Sequence, residues 1–207
     1  MSISLRISAF YLSCQMANSQ NNPSETEDQQ RFRLLDRLYT ISEGYSEMFV
    51  PQERLGVMTD NEQTSIKEAL RFLAESGLVT LGLGNVKITH EGIIEYEDAI
   101  LNPHEHTELF PLDTIRSVST ESKKEQIRTI QRQRSEFLDE ALRLSGGNPT
   151  QPVSDSDIES ALGYNHSLIE RIHFFCQDAR LIQAFATGGK FTLTPSGIRQ
   201  AQEDPIS

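Results

Sequence analysis

Apolar positions along this chain follow a column pattern that is used twice. Phe32, Leu35, Leu38, Tyr39 and Ser42 return at steps of three and four, which predicts a helix from about Gln29 to Ser42, stopped by Gly44. Pro51 opens a very short helix through Gln52–Leu55. Thr59 with Glu62 forms a capping-box pair ahead of a helix from Glu62 to Ser76, whose inward face is Ile66, Ala69, Leu70 and Leu73. Leu78–Leu81 and Val86–Thr89 flank a Gly82-Leu83-Gly84-Asn85 bend and predict a hairpin. Thr89 caps a further helix from Glu91 to Leu101.

Residues 33–79 then recur without a gap as residues 136–182. Val50 meets Val153, Leu55 meets Ile158, Ile66 meets Ile169 and Phe72 meets Phe175. After two inserted residues, Ile88-Thr89-His90-Glu91-Gly92-Ile93 lines up with Leu193-Thr194-Pro195-Ser196-Gly197-Ile198. What recurs is the apolar column and the glycines, which a core and its turns require. The second copy predicts a long helix from about Lys123 to Ser145 and a short one capped by Ser154 and ending at Leu162. A helix from Asn165 to Ala179, a hairpin over Leu181–Thr194 and a last helix from Pro195 follow. The reading is mainly α with small β-hairpins, an α+β chain of two tandem domains. Residues 1–28 form a disordered leader, 29–101 the first domain, 102–125 an irregular linker, 126–203 the second domain and 204–207 a tail.

Helix, short helix, tight turn, helix and hairpin is the order of a winged helix-turn-helix. Ala74-Glu75-Ser76-Gly77-Leu78-Val79, Ile88-Thr89-His90-Glu91-Gly92-Ile93 and the later Phe110-Pro111 resemble the winged-helix modules of uncharacterised bacterial regulatory proteins. The resemblance covers about a third of the chain directly and a second third through the repeat. It implies a small regulatory or adaptor module and brings no catalytic residues.

Charge changes that picture. The 207 residues carry a formal net charge of -11, and residues 29–101 hold 7 basic against 12 acidic side chains. An acidic surface repels phosphate, so DNA binding requires a local basic strip. Three places offer one. The third helix of the first copy exposes Thr64, Lys67 and Arg71 beside Glu68 and Glu75; that of the second exposes His166, Arg171 and Phe174 beside Glu170. The hairpins carry Lys87 and Lys190. Lys123, Lys124, Arg128, Arg132 and Arg134 crowd the long helix, with Lys124, Arg128 and Arg132 on one face. That cluster reads either as a clamp for phosphate or an acidic partner, or as a helix facing the chain's own acidic first copy.

No nucleophile, base and orienting group cluster together, and no glycine-rich phosphate loop lies between a strand and a helix, so no enzyme is expected. His104 and His106 alternate in a linker without the spaced supports of a zinc site, so neither metal nor cofactor is expected. Cys14 and Cys176 give no disulfide framework and suit a cytoplasmic setting, with Cys176 reading as a small buried hydrophobe. No segment approaches the ~20 apolar residues of a membrane span, and the short run Ile7–Leu12 is too weak for a signal peptide. Met16 is an alternative start to Met1. Two partners remain: double-stranded DNA, for a transcription regulator, or a protein, for an acidic tandem winged-helix adaptor. A homodimer is open under either.

Overall fold

A computed structural model describes residues 26–56, 60–103, 109–186 and 188–203, the side chains of 60–64 excepted. The first half runs α1 (Glu27–Ser42), β1 (Val50–Pro51), a single 3-10 turn (Gln52–Leu55), α2 (Asp60–Glu75), β2 (Val79–Leu81), β3 (Asn85–Ile88) and α3 (His90–Leu101). A short α4 (Leu112–Val118) leads into α5 (Glu121–Ser145). Then β4 (Val153–Ser154), α6 (Asp155–Leu162), α7 (His166–Asp178), β5 (Ile182–Ala184), β6 (Lys190–Leu193) and α8 (Pro195–Glu203) repeat the order of the first half. The described residues are mainly helical, with two small antiparallel sheets, ordered β1-β3-β2 and β4-β6-β5.

Each expected hairpin gains a third strand, because the residues before each short helix are extended. Val50 pairs with Val86, and Val153 with Phe191. The helix columns pack as expected: Phe32, Leu35, Leu38, Tyr39 and Ser42 of α1, and Ile66, Ala69, Leu70 and Leu73 of α2, are buried. Thr26 caps α1 in a capping box, so the helix begins before residue 29, and residues 1–25 and 204–207 lie outside the described residues. Thr59 also lies outside them.

The linker departs from expectation. Pro111 is the N-cap of α4, and Thr120 caps α5, which therefore begins at Glu121, two residues before the expected Lys123 and inside the stretch read as linker. Pro111 and Thr120 mark helix starts where irregular chain was expected, and residues 104–108 lie outside the described residues. Leu112 and Ile115 give α4 an inward side, with Ile115 buried, and Phe110 packs 4.9 Å from Phe32.

The matched glycines have a steric reason. Each last helix approaches the chain entering its hairpin so closely that a Cβ on Gly92 would lie 2.0 Å from the Leu78 carbonyl oxygen, and one on Gly197 2.1 Å from that of Leu181. Thr89 and Thr194 cap these helices by accepting from the amides of Gly92 and Gly197, while donating to the carbonyls of Gly77 and Arg180. Gly92→Ala and Gly197→Ala are each expected to lose about 3 kcal/mol in urea titrations, since backbone must move to admit the methyl. A loss below ~0.5 kcal/mol, the scale of neutral surface changes, would refute this packing.

Candidate nucleic-acid and partner interface

The helices read as DNA readers have different surroundings. On α2, Lys67 and Arg71 face solvent, and Arg71 Nε donates to Glu75 at 2.9 Å. The Thr64 side chain lies outside the described residues. Phe72 is half-buried, because the Arg31 guanidinium sits 3.9 Å above its ring. Phe72 is therefore not an open docking group.

The counterpart helix α7 turns a side toward the first half. Arg171 pairs with Glu43 and lies 4.9 Å over the Tyr45 ring. Ser46 donates to Asp178 at 2.5 Å, and Phe175 packs 4.9 Å from His90. Arg171, expected to be exposed, is half-buried and links the two halves. His166 stays outward and bonds to Glu159 at 2.5 Å, which raises its pKa. Phe174 is exposed.

The basic stripe of α5 is matched charge for charge. Lys124 meets Glu121 at 3.1 Å, Arg128 meets Glu125 at 3.7 Å and Arg132 meets Glu136 at 3.8 Å. Starting α5 at Glu121 adds a carboxylate that the expected helix lacked. Lys123 reaches across to Asp36 of α1, as the reading of a helix facing its acidic neighbour requires. Lys87 lies 5.7 Å over Phe49, and Lys190 is exposed at the start of β6.

Sequence reasoning grouped Arg134 with the solvated cations, and the structure buries it. Arg134 Nη1 donates to both oxygens of Glu97 at 3.0 Å, and Nη2 donates to the Gly44 carbonyl at 2.5 Å. The guanidinium stacks 3.6 Å over Phe175. Tyr39 Oη donates to Glu97 at 2.8 Å, and Gln131 donates to its other oxygen at 3.0 Å. Burial and the facing Glu97 carboxylate push the Tyr39 hydroxyl well above its ordinary pKa. The signal was present. Arg134 sits in the apolar column Ile127, Ile130, Phe137, Leu138, and Glu97 sits in Ile93, Tyr96, Ile100. Opposite charges on the inward faces of two helices point to each other.

Beside this pair, a cavity of about 260 Å³ is lined by Arg134, Ser135, Cys176 and Gln200 among others. Cys176 is fully buried, and desolvation pushes its thiol up to about 12, far from a working nucleophile. His173 and Asp155 are 2.9 Å apart, and the imidazole packs edge-on against Phe191. Among the described residues no group of three metal-ligating side chains assembles. His104 and His106 lie outside them. No described helix is long and apolar enough to cross a membrane. No family model, curated protein or solved structure matches the chain.

His90 packs on Phe175 between the halves, and its burial there leads to an expected pH dependence. Burial against Phe175 lowers its pKa, with Glu91 opposing. A histidine whose folded pKa is depressed contributes stability that is complete above its unfolded value, about 6.5, and lost as pH falls below it. Glu47, raised by burial, works the other way. The readout is therefore the difference between the native chain and His90→Gln, which is expected to shrink as pH drops from 7.5 to 5.5. A constant difference would show that His90 titrates alike in the folded and unfolded states.

Proposed function

We propose that this chain is a non-enzymatic pair of tandem winged helix-turn-helix domains that serves as an adaptor, docking a protein partner. The repeated element order and the matching strand orders β1-β3-β2 and β4-β6-β5 support the tandem architecture. The observation that carries the adaptor reading is the engagement of Arg171 with Glu43 and Tyr45. The helix that would enter a second major groove is held against the first half. The cations meant for phosphate, Lys124, Arg128 and Arg132, each already face a carboxylate on α5. Duplex binding draws most of its generic affinity from cations that neutralise phosphates and release counterions. A chain of net charge -11 with its basic strip internally matched has little of that term.

A DNA-binding regulator is the second reading, and one observation favours it: α2 keeps Lys67 and Arg71 in solvent. Fluorescence anisotropy with labelled random-sequence duplex at ~50 mM salt separates the two, because the electrostatic term is strong there. No binding is expected. If the duplex binds, and Gln at positions 124, 128 and 132 flattens the slope of log affinity against log salt by about 2–3, the regulator reading replaces the adaptor. Arg71→Ala would then relax preference at one base pair.

A further inference from the structure

Four large apolar side chains stand exposed around the first hairpin: Met48 at 39%, Phe49 at 57%, Leu81 at 41% and Leu83 at the tip, fully open. They are close neighbours. Phe49 precedes Val50, and its ring lies 3.8 Å from where a Cβ on Gly82 would stand, between Leu81 and Leu83. Val86 and Ile88 of β3 point inward, so Lys87 points outward and covers one side of the Phe49 ring.

The fold does not require this patch. The second half builds the same three-stranded sheet with Gln151, Pro152 and Ala184 where the first has Met48, Phe49 and Leu81. Side chains that neither serve the core nor recur in the repeat are free to serve recognition. Next to them stands Glu47, whose field is shared with Arg171, Asp178 and Lys87. Its carboxylate is half-buried, with Oε2 closed off from solvent, and sets an acidic group beside the patch.

We infer that this face docks a protein segment carrying two or more large apolar side chains flanked by Lys or Arg. The inference rests on the adaptor reading and names the face and the chemistry of its partner. Apolar anchors fill the space around Phe49, Leu81 and Leu83, and a basic flank meets Glu47 and the acidic first half, with its 7 basic and 12 acidic residues. A second copy fits less well, because a two-fold contact sets the same patch against itself and brings Glu47 to Glu47. Nucleic acid and anionic lipid carry the wrong charge.

The test is selection of phage-displayed random 12-residue peptides on the full chain, with a Phe49→Ser/Leu83→Ser chain as counter-selection. Both residues are exposed, so the melting of the double variant should be unchanged. Enriched peptides are expected to carry apolar pairs with Lys or Arg and few acids. Their affinity should fall about tenfold with Phe49→Ser and again with Leu83→Ser, the scale of a lost anchor. Glu47→Lys should cost a further fivefold or so at low salt. Arg71→Glu on α2 should leave it unchanged.

Acidic peptides, or affinities indifferent to Phe49 and Leu83, overturn the inference. If those affinities instead collapse with Arg71→Glu, the adaptor reading survives on α2 and only this face falls. No enrichment over the double variant, together with binding of duplex at ~50 mM salt where the electrostatic term is strong, removes both. A sedimenting dimer dispersed by Leu83→Ser, or binding to phosphatidylserine vesicles lost with Phe49→Ser, overturns it by naming another occupant.

Discussion

Replacing Arg134 with alanine is expected to lower the stability of the full chain by about 3–5 kcal/mol in a urea titration, the cost of stranding a buried charge. Glu97 and Arg134 expose only 1% and 7% of their side chains. The pair is built from both ends of the repeat, since Glu97 is on α3 and Arg134 on α5. Removing the guanidinium leaves the Glu97 carboxylate with Tyr39 and Gln131 as donors, and leaves the Gly44 carbonyl without the donor it now has. It also strips the cation from the face of Phe175. A loss of that size is a large part of the 5–15 kcal/mol that typically holds a domain together. Two companions identify the cause. Arg132→Ala removes an exposed cation of the same helix and should cost at most about 0.5 kcal/mol. Glu97→Leu combined with Arg134→Met removes both charges and should recover most of the loss, since apolar replacements of a buried pair are often neutral or better. A single Arg134→Ala variant that melts like the native chain would mean that the pair is solvated in solution.

The elements were legible because their signals are local. Period-three-and-four columns gave the buried faces of α1 and α2, and Ser154 marked the cap of α6 that the backbone uses, while α7, expected from Asn165, starts one residue later with Asn165 as its cap. The 103-residue offset predicted a repeated element order, and the matching sheets follow it. The candidate site was legible only in part, since position along a helix says which face a residue is on and not what lies opposite. Arg171 is outward-facing by its spacing, yet Glu43 and Tyr45, more than a hundred residues earlier, are what it meets. Lys124, Arg128 and Arg132 do share a face, but their partners are three and four residues away on the same helix, one of them in a turn the linker reading had left out. Phe49 and Leu83 drew no notice because isolated apolar residues in loops are ordinary. Only the folded hairpin sets them side by side.

The fragment ending near Thr120 is expected to lack a cooperative unfolding transition, while the full chain shows one transition for both halves. Apolar columns alone lead to the opposite expectation, because each copy has its own inward faces and a fragment with a core should fold, if weakly. The interface reverses that. Residues 26–120 keep α1 to α4 and the first sheet, but lose Arg134 from Glu97, Lys123 from Asp36 and Phe175 from His90. A piece of that size buries only about 60–65% of its unfolded surface and is marginal before any such loss. Without α5 and α7 the faces around Glu97 and His90 open to water, and such a core can ill spare the apolar burial those helices supplied. Circular dichroism in urea should give a gradual slope for 26–120 and a sigmoid for the full chain, with equal calorimetric and van't Hoff enthalpies in the latter. Two separate transitions in the full chain, one matching the free fragment, would instead make each copy an independent folding unit and reduce Arg134 to a surface tether.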